Sequence, residues 1–369
     1  MAPFWQEGFG NPSSLHDKGS EAARAVREAR REIAALLNAS DESEIVFTSG
    51  GTESNNTALR SALATQKGRK KIVTTAVEHS SILKPVRALQ EEGFEGSLVP
   101  VDGRGDLDRK QFTASLTPDT ALVSIMMANN ETGVIFPVEE IAQEVREKKI
   151  LLHVDAVQAA GKIPISLKNL SADFLSLSAH KFGGPKGVGI LYVRKDAPFR
   201  PLLFGGAQER GRRAGTEHVP GIVGMGRAAR LMRENFDSRN HKIRELRDLF
   251  EKKVLQRIGG VKINGDPSHR VPNTSNLSFE KVDAEALLIL LDQEGIYASS
   301  GSACLSGASE PSHVLRAMGF SDPKARSSLR FSFGAGNHPD EIEFVIGSLE
   351  RFTRRLREIE FEEQHPHLI

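Results

Sequence analysis

The sequence predicts an α/β fold, a mostly parallel β-sheet flanked by helices and followed by a smaller α+β domain. Three observations support this. Between residues 45 and 194, short apolar runs alternate with longer stretches of helical period. Several of these runs end in clusters of Gly, Ser, Asn or His, and in such sheets ligands bind beyond the carboxyl ends of the strands. At 369 residues the chain exceeds the usual size of a single hydrophobic core, so two unequal domains are expected.

The candidate strands are 45–48, 72–77, 121–127, 150–155, 174–178 and 189–194, each a short apolar run bounded by polar residues. After Pro220 the sequence is low in proline, and Ile243, Leu246, Phe250, Val254 and Ile258 recur at helical spacing, predicting a long helix that leads from one domain to the next. Beyond the turn cluster Asn264-Gly265-Asp266-Pro267, shorter strand and helix signals run to the end. The expected division is an N-terminal segment 1–14 packing with the small domain, a large domain 15–237 and a small domain 238–369.

Hydrophobic residues make up 39% of the chain and charged residues 26%, a balance that supplies a sizeable core. With 49 basic and 48 acidic residues the net charge is +1, which offers no overall field for a nucleic-acid backbone. No apolar run is long enough to span a bilayer, and Met1-Ala2-Pro3-Phe4-Trp5-Gln6-Glu7 lacks the basic and apolar regions of a signal peptide, so a cytoplasmic location is expected. A single cysteine excludes an internal disulfide and a cysteine-cluster metal site. Cys304 is therefore either a small buried hydrophobe or a reactive thiol.

The first chemical motif follows strand 45–48. Ser49-Gly50-Gly51-Thr52-Glu53-Ser54-Asn55-Asn56 reads as a glycine turn opening a polar helix, where backbone N–H groups and the helix dipole favour a phosphate. Taken alone it reads first as an ordinary capped turn, with Thr52 or Ser49 serving the helix end. It lacks the Gly-Lys-Ser/Thr ending of a nucleoside-triphosphate loop.

Strand 174–178 runs into Ala179-His180-Lys181-Phe182-Gly183-Gly184-Pro185-Lys186-Gly187. A lysine at a strand end, before a glycine-proline turn, is placed to lose water and form a Schiff base. Lys186 competes for the role, but Ser178 and His180 beside Lys181 add two phosphate donors. A pyridoxal ring also needs an anion opposite its nitrogen, and Asp155 in His153-Val154-Asp155-Ala156-Val157-Gln158 supplies one at the end of an apolar run. Asp155 could instead cap a helix. Gln158 is placed to donate to the ring's phenolic oxygen. His79, in Val77-Glu78-His79-Ser80-Ser81, could stack on such a ring and move protons near neutral pH. Asn129-Asn130-Glu131-Thr132-Gly133 offers amides for a cofactor or carboxylate, or forms a turn. Ser299-Ser300-Gly301-Ser302-Ala303-Cys304-Leu305-Ser306-Gly307-Ala308-Ser309-Glu310-Pro311 is too small and polar to anchor a core, and reads as a loop carrying the only thiol.

In order and spacing these segments resemble the cysteine desulfurases of the NifS/IscS type, within the class V aminotransferase family of fold-type I pyridoxal-phosphate enzymes. The resemblance runs from Phe9-Gly10-Asn11-Pro12-Ser13-Ser14 to at least Phe331, and includes Arg212-Arg213-Ala214-Gly215-Thr216. It implies a seven-stranded, mostly parallel sheet and the cofactor pyridoxal 5'-phosphate. It implies that Lys181 is the Schiff-base lysine, Asp155 the ring-nitrogen partner, Gln158 the phenolic-oxygen donor and His79 the stacking acid/base. It further implies phosphate contacts from Gly51, Thr52, Ser178 and His180, with Thr216 reaching in from the second subunit of a homodimer. Asn130 would lie beside the cofactor, Arg330 would bind the carboxylate of L-cysteine, and Cys304 would be the nucleophile. No metal is implied. A sulfur-acceptor or iron–sulfur scaffold protein is the expected partner, with no membrane and no direct nucleic-acid contact.

Two stretches depart from the family pattern. Its opening strand, Ala-Thr-Thr-Pro turn and helix have no counterpart, so Met1 is expected to correspond to an internal position. After Arg330, Phe333-Gly334-Ala335-Gly336-Asn337-His338-Pro339 replaces the usual Leu-Gly-Arg-aromatic-Thr continuation, with a modest expected effect on substrate binding. A selenocysteine lyase or class V aminotransferase would share Lys181, Asp155 and His79, but a transaminase needs no Cys304. A catalytically silent assembly scaffold is the reading of another class.

Overall fold

The computed structural model describes residues 1–301 and 310–364, and these divide into two compact units. The larger unit comprises residues 1–99, 109–128 and 136–236. Its seven-stranded sheet consists of β1 (Ile45–Thr48), β2 (Lys71–Thr75), β3 (Glu95–Val99), β4 (Thr120–Met126), β5 (Leu151–Asp155), β6 (Phe174–Ser178) and β7 (Gly189–Val193). The order is β1-β7-β6-β5-β4-β2-β3, with β7 antiparallel to both neighbours and every other pairing parallel. This is the α/β sheet that the alternation of apolar runs predicts. Strands β4, β5, β6 and β7 are buried at every position, as expected for strands covered on both faces.

Helices Gly51–Thr65 and Ser80–Glu91 cover one part of this sheet, and Leu59, Leu63, Ile82, Val86 and Leu89 pack with Val46, Ile72, Leu122, Leu151, Phe174 and Leu191. Strand β3 escapes a reading based on apolar runs because it is a half-exposed edge strand, Glu-Gly-Ser-Leu-Val, with Leu98 turned to solvent.

The smaller unit comprises residues 100–108, 129–135 and 237–369. It holds a four-stranded antiparallel sheet of β8 (Val261–Ile263), β9 (Thr274–Phe279), β10 (Ser299–Ser300) and β11 (Ser328–Ser332), in the order β10-β11-β9-β8. The long helix Phe236–Arg257 buries Ile243, Leu246, Phe250 and Val254, the residues whose spacing announced it. Leu246, Phe250 and Val254 pack with Leu277, Phe279, Leu329, Phe331, Ile346 and Leu349.

Three segments sit elsewhere than expected. The short helix Ala2–Gln6 belongs with the larger unit, because the Trp5 ring packs at 5.6 Å on His218 and the Met1 side chain lies against Gly224. Residues 100–108 and 129–135 belong with the smaller unit despite their early place in the chain, held by the ion pair Arg104–Asp266 and a bridge between Val134 and Arg270.

Candidate active site

The larger unit gathers most of the proposed cofactor residues at the carboxyl edge of its sheet. Because β7 runs against its neighbours, its first residue lies beside the last residues of two strands: Gly189 pairs with Thr48 on one side and Ser178 on the other. The register leaves room for nothing but hydrogen at position 189. A Cβ there would meet the Leu177 carbonyl oxygen at 2.5 Å and the Gly50 Cα at 2.7 Å. The Gly50-Gly51 turn is thereby pressed against β6. Gly50 has φ +152°, and it caps helix Gly51–Thr65 without any side-chain hydrogen bond to the helix end. A Cβ on Gly51 would collide with Val157 at 2.8 Å. Ser178 stands at this turn, and its Oγ lies 3.0 Å from Nδ1 of His180. Backbone N–H groups at the start of a 15-residue helix, with a serine hydroxyl alongside, form a cradle for a phosphate dianion.

Glu53, one residue beyond Thr52, is tied into the same turn by the Ser49 N–H at 2.8 Å and by Arg213 Nε at 2.9 Å. Burial would raise its carboxyl, yet these hydrogen bonds outweigh burial and hold it below the usual range. Thr52 and Thr216 are both exposed.

Asp155 is the last residue of β5 and is only 6% exposed. Its Oδ1 accepts the Val157 N–H at 3.0 Å and its Oδ2 accepts the Asn55 amide at 2.7 Å. Burial pushes its carboxyl upward, while these bonds and the proximity of His79 and Lys181 pull the other way. Lys181 closes the short turn Ala179–Lys181 after β6, the strand that pairs in parallel with β5. His79 caps helix Ser80–Glu91, its Nδ1 accepting the Ser81 N–H at 3.1 Å. Gln158 accepts Lys162 Nζ through Oε1 at 2.7 Å, which leaves its amide N–H groups as donors.

In the smaller unit, Asn129 builds the turn that the Asn-Asn pair could have formed. Its Oδ1 accepts the N–H groups of Glu131 and Thr132 at 2.8 and 2.9 Å. Arg330, on β11, donates Nη1 to the Asn130 carbonyl at 2.8 Å. Within this pair, Arg330 Nε and Asn130 Oδ1 are buried without a hydrogen-bond partner among the described residues. A donor and an acceptor left open together suit an amino-acid substrate. Burial lowers the Arg330 guanidinium, and Glu131 opposes that effect. Cys304 lies outside the described residues.

Reading the sequence missed Glu131, Asn55 and Ser81 as members of these groups. Glu131 is 1% exposed, and burial pushes its carboxyl up to about 7 against the Ser312 hydroxyl and Arg330. Only its place inside the Asn-Asn-Glu-Thr-Gly motif could have drawn attention to it.

The class V aminotransferase pattern matches residues 1–345. A cysteine desulfurase of Gluconacetobacter diazotrophicus is 50% identical over 360 residues, covering 97% of this chain and 90% of the relative. The chain belongs to the class V aminotransferase family. Among solved structures, a NifS-like protein superposes with a TM-score of 0.89 at 40% identity, covering 95% of this chain and 93% of its own. A structure described as SspA in complex with cysteine gives 0.80 at 34% identity, covering 90% and 93%.

As a class V aminotransferase the chain works with pyridoxal 5'-phosphate. The residues present fit that group. Gly50, Gly51 and Ser178 leave a cradle that a Cβ would fill, the buried carboxylate of Asp155 suits a protonated ring nitrogen, and Lys181 carries an amine of the kind the group requires.

Proposed function

We infer that the chain is a pyridoxal-phosphate-dependent cysteine desulfurase, which converts L-cysteine to L-alanine and places the released sulfur on Cys304 as a persulfide. The observation that carries this reading is the register joining Thr48, Gly189 and Ser178, which sets the phosphate turn beside the strand leading to Lys181 in a chain half identical to a cysteine desulfurase.

When bound, the cofactor supplies an electron sink conjugated to the substrate's α-carbon. The chain's own groups do the rest. Arg330 holds the substrate carboxylate through its open Nε. Lys181 and His79 carry protons to and from the reacting carbons, and Asp155 keeps the ring nitrogen protonated. Gln158 and Asn130 orient the ring; Gly51, Thr52, Ser178, His180 and, from a second copy of the chain, Thr216 hold its phosphate. The Cys304 thiolate then attacks the substrate sulfur. The carbon–sulfur bond breaks, a sulfur–sulfur bond forms, the electron pair stays with carbon, and that carbon takes up a proton to give alanine.

The finer parts of the reading are a homodimer, a cytoplasmic location, and delivery of the persulfide to an iron–sulfur scaffold or a transfer-RNA thiolation acceptor. The exposed position of Thr216 supports the dimer. Among the described residues, no helix is long and apolar enough to cross a membrane.

The test compares the wild type with Cys304→Ser. Both should bind the cofactor and show its visible absorbance, but only the wild type should release alanine from cysteine and yield a trapped persulfide by mass spectrometry. Full alanine turnover by Cys304→Ser would overturn the assignment.

A further inference from the structure

In the larger unit, a continuous chain of hydrogen bonds runs from Asp155 to His79. Asn55 Nδ2 lies 2.7 Å from Asp155 Oδ2 and 2.8 Å from Ser81 Oγ, and Ser81 Oγ lies 2.8 Å from His79 Nδ1. Asn55 and Ser81 are 1% and 7% exposed, so water has little access to these bonds. The direction of every bond follows from the first. A carboxylate can only accept, so the Asn55 amide must turn its NH2 toward Asp155. The second N–H of that NH2 points at Ser81, whose oxygen becomes an acceptor. The Ser81 hydroxyl proton is thereby directed to its other near neighbour, Nδ1 of His79. The Ser81 backbone N–H aims at the same nitrogen from 3.1 Å, and a backbone N–H cannot turn round to accept. Two donors thus converge on Nδ1, and a proton there would face both of them.

We propose that Asn55 and Ser81 are positioning residues that hold His79 in one tautomer, with Nδ1 as acceptor and the ring proton on Nε2. Resting on the role given to His79 above, the inference adds which atom exchanges the proton. His79 gives and receives at Nε2 alone. The chain also couples two groups otherwise treated as separate, because the carboxylate that holds the ring nitrogen protonated sets the amide that orients the serine that fixes the histidine. Neutral imidazole is the resting form under this arrangement, suited to lying against a cationic ring.

Nitrogen NMR of protein labelled with 15N-histidine, recorded with and without bound cofactor, tests this independently of turnover. In the wild type the His79 signals should show a protonated Nε2 and a hydrogen-bonded, unprotonated Nδ1. Ser81→Ala removes one donor and should move the Nδ1 signal toward that of a free imidazole nitrogen, and Ser81→Thr, which keeps the hydroxyl, should restore it. Asp155→Asn lets the Asn55 amide turn either way and should broaden or split the Nδ1 signal. A wild-type ring protonated at Nδ1, or a Nδ1 signal unmoved by Ser81→Ala, overturns the proposal. The wild-type spectrum decides even if Ser81→Ala fails to fold. A wild type with the expected tautomer but no trapped persulfide would count against the desulfurase reading and leave this one standing.

Discussion

The Ser312 hydroxyl donates to Oε2 of Glu131 at 2.5 Å, and the same carboxylate oxygen occupies the space that a side chain on residue 301 would need. A Cβ on Gly301 would lie 2.2 Å from Glu131 Oε2 and 2.9 Å from the Ser312 Cβ. One buried carboxylate thus lies against two positions, 301 and 312, that stand on either side of Cys304 in the sequence.

Gly301→Ala should therefore destabilise the protein by about 1–3 kcal/mol, the usual cost of forcing extra atoms into a packed site. In a Glu131→Ala background the same change should cost clearly less. Urea unfolding of the four proteins gives the coupling directly, and additive effects would show that the carboxylate is not what excludes the side chain.

Glu78 makes stability depend on pH. Its carboxyl is fully buried and pushed up to about 8 by burial, to which the charge of Asp155 adds, against the Met126 N–H and the Thr75 hydroxyl. In an unfolded chain it would titrate near about 4.3. Between these values the folded protein holds a proton that the unfolded chain has lost. The stabilisation is complete below the lower value and is lost as pH rises through the upper one. Glu78→Gln keeps an acceptor oxygen for both donors and removes the titration. Thermal melting across about pH 5 to 8 should show a shallower decline for the variant than for the wild type; parallel curves would refute this.

Arg30 and Glu209 form a buried pair through two bonds of 2.8 and 2.7 Å, and Glu209 also accepts the Phe47 N–H at 2.9 Å. The pair anchors β1, which delivers the phosphate turn. Glu209→Ala leaves the Arg30 guanidinium, whose side chain is 7% exposed, without its partner. The expected loss is about 3–5 kcal/mol, measured by denaturant titration, and a loss of less than about 1 kcal/mol would mean that water reaches Arg30 in the variant.

Gly189→Ala should weaken cofactor binding more than it weakens the fold. The added methyl must push the Gly50-Gly51 turn away from Ser178, and about 1.4 kcal/mol of misfit at the phosphate is a tenfold loss in affinity. Fluorescence titration of cofactor into the stripped protein measures it. Unchanged affinity would show that the turn's position is set elsewhere.

Local pattern carried much of this in the sequence. Apolar runs announced β1, β2 and β4 to β7, and strand-end position singled out Asp155, Lys181 and His79, because a polar residue closing a buried strand has few structural reasons to be there. What stayed hidden depends on distant partners. Strand β3 carries too little apolar side chain to stand out. Asn55 and Ser81 look like ordinary polar helix residues until β5 brings Asp155 against them. Nothing local in residues 100–108 tells that they belong with Asp266.

That interleaving has a consequence during synthesis. The Glu131 carbonyl accepts the Asn276 amide from 145 residues further along. As the chain leaves the ribosome, the stretch 129–135 emerges early and cannot make its native contacts until its companions have been translated. The smaller unit therefore cannot be completed while the larger one is still being made, and a chain cut anywhere between the two stretches would leave each fragment missing a part of its own core framework.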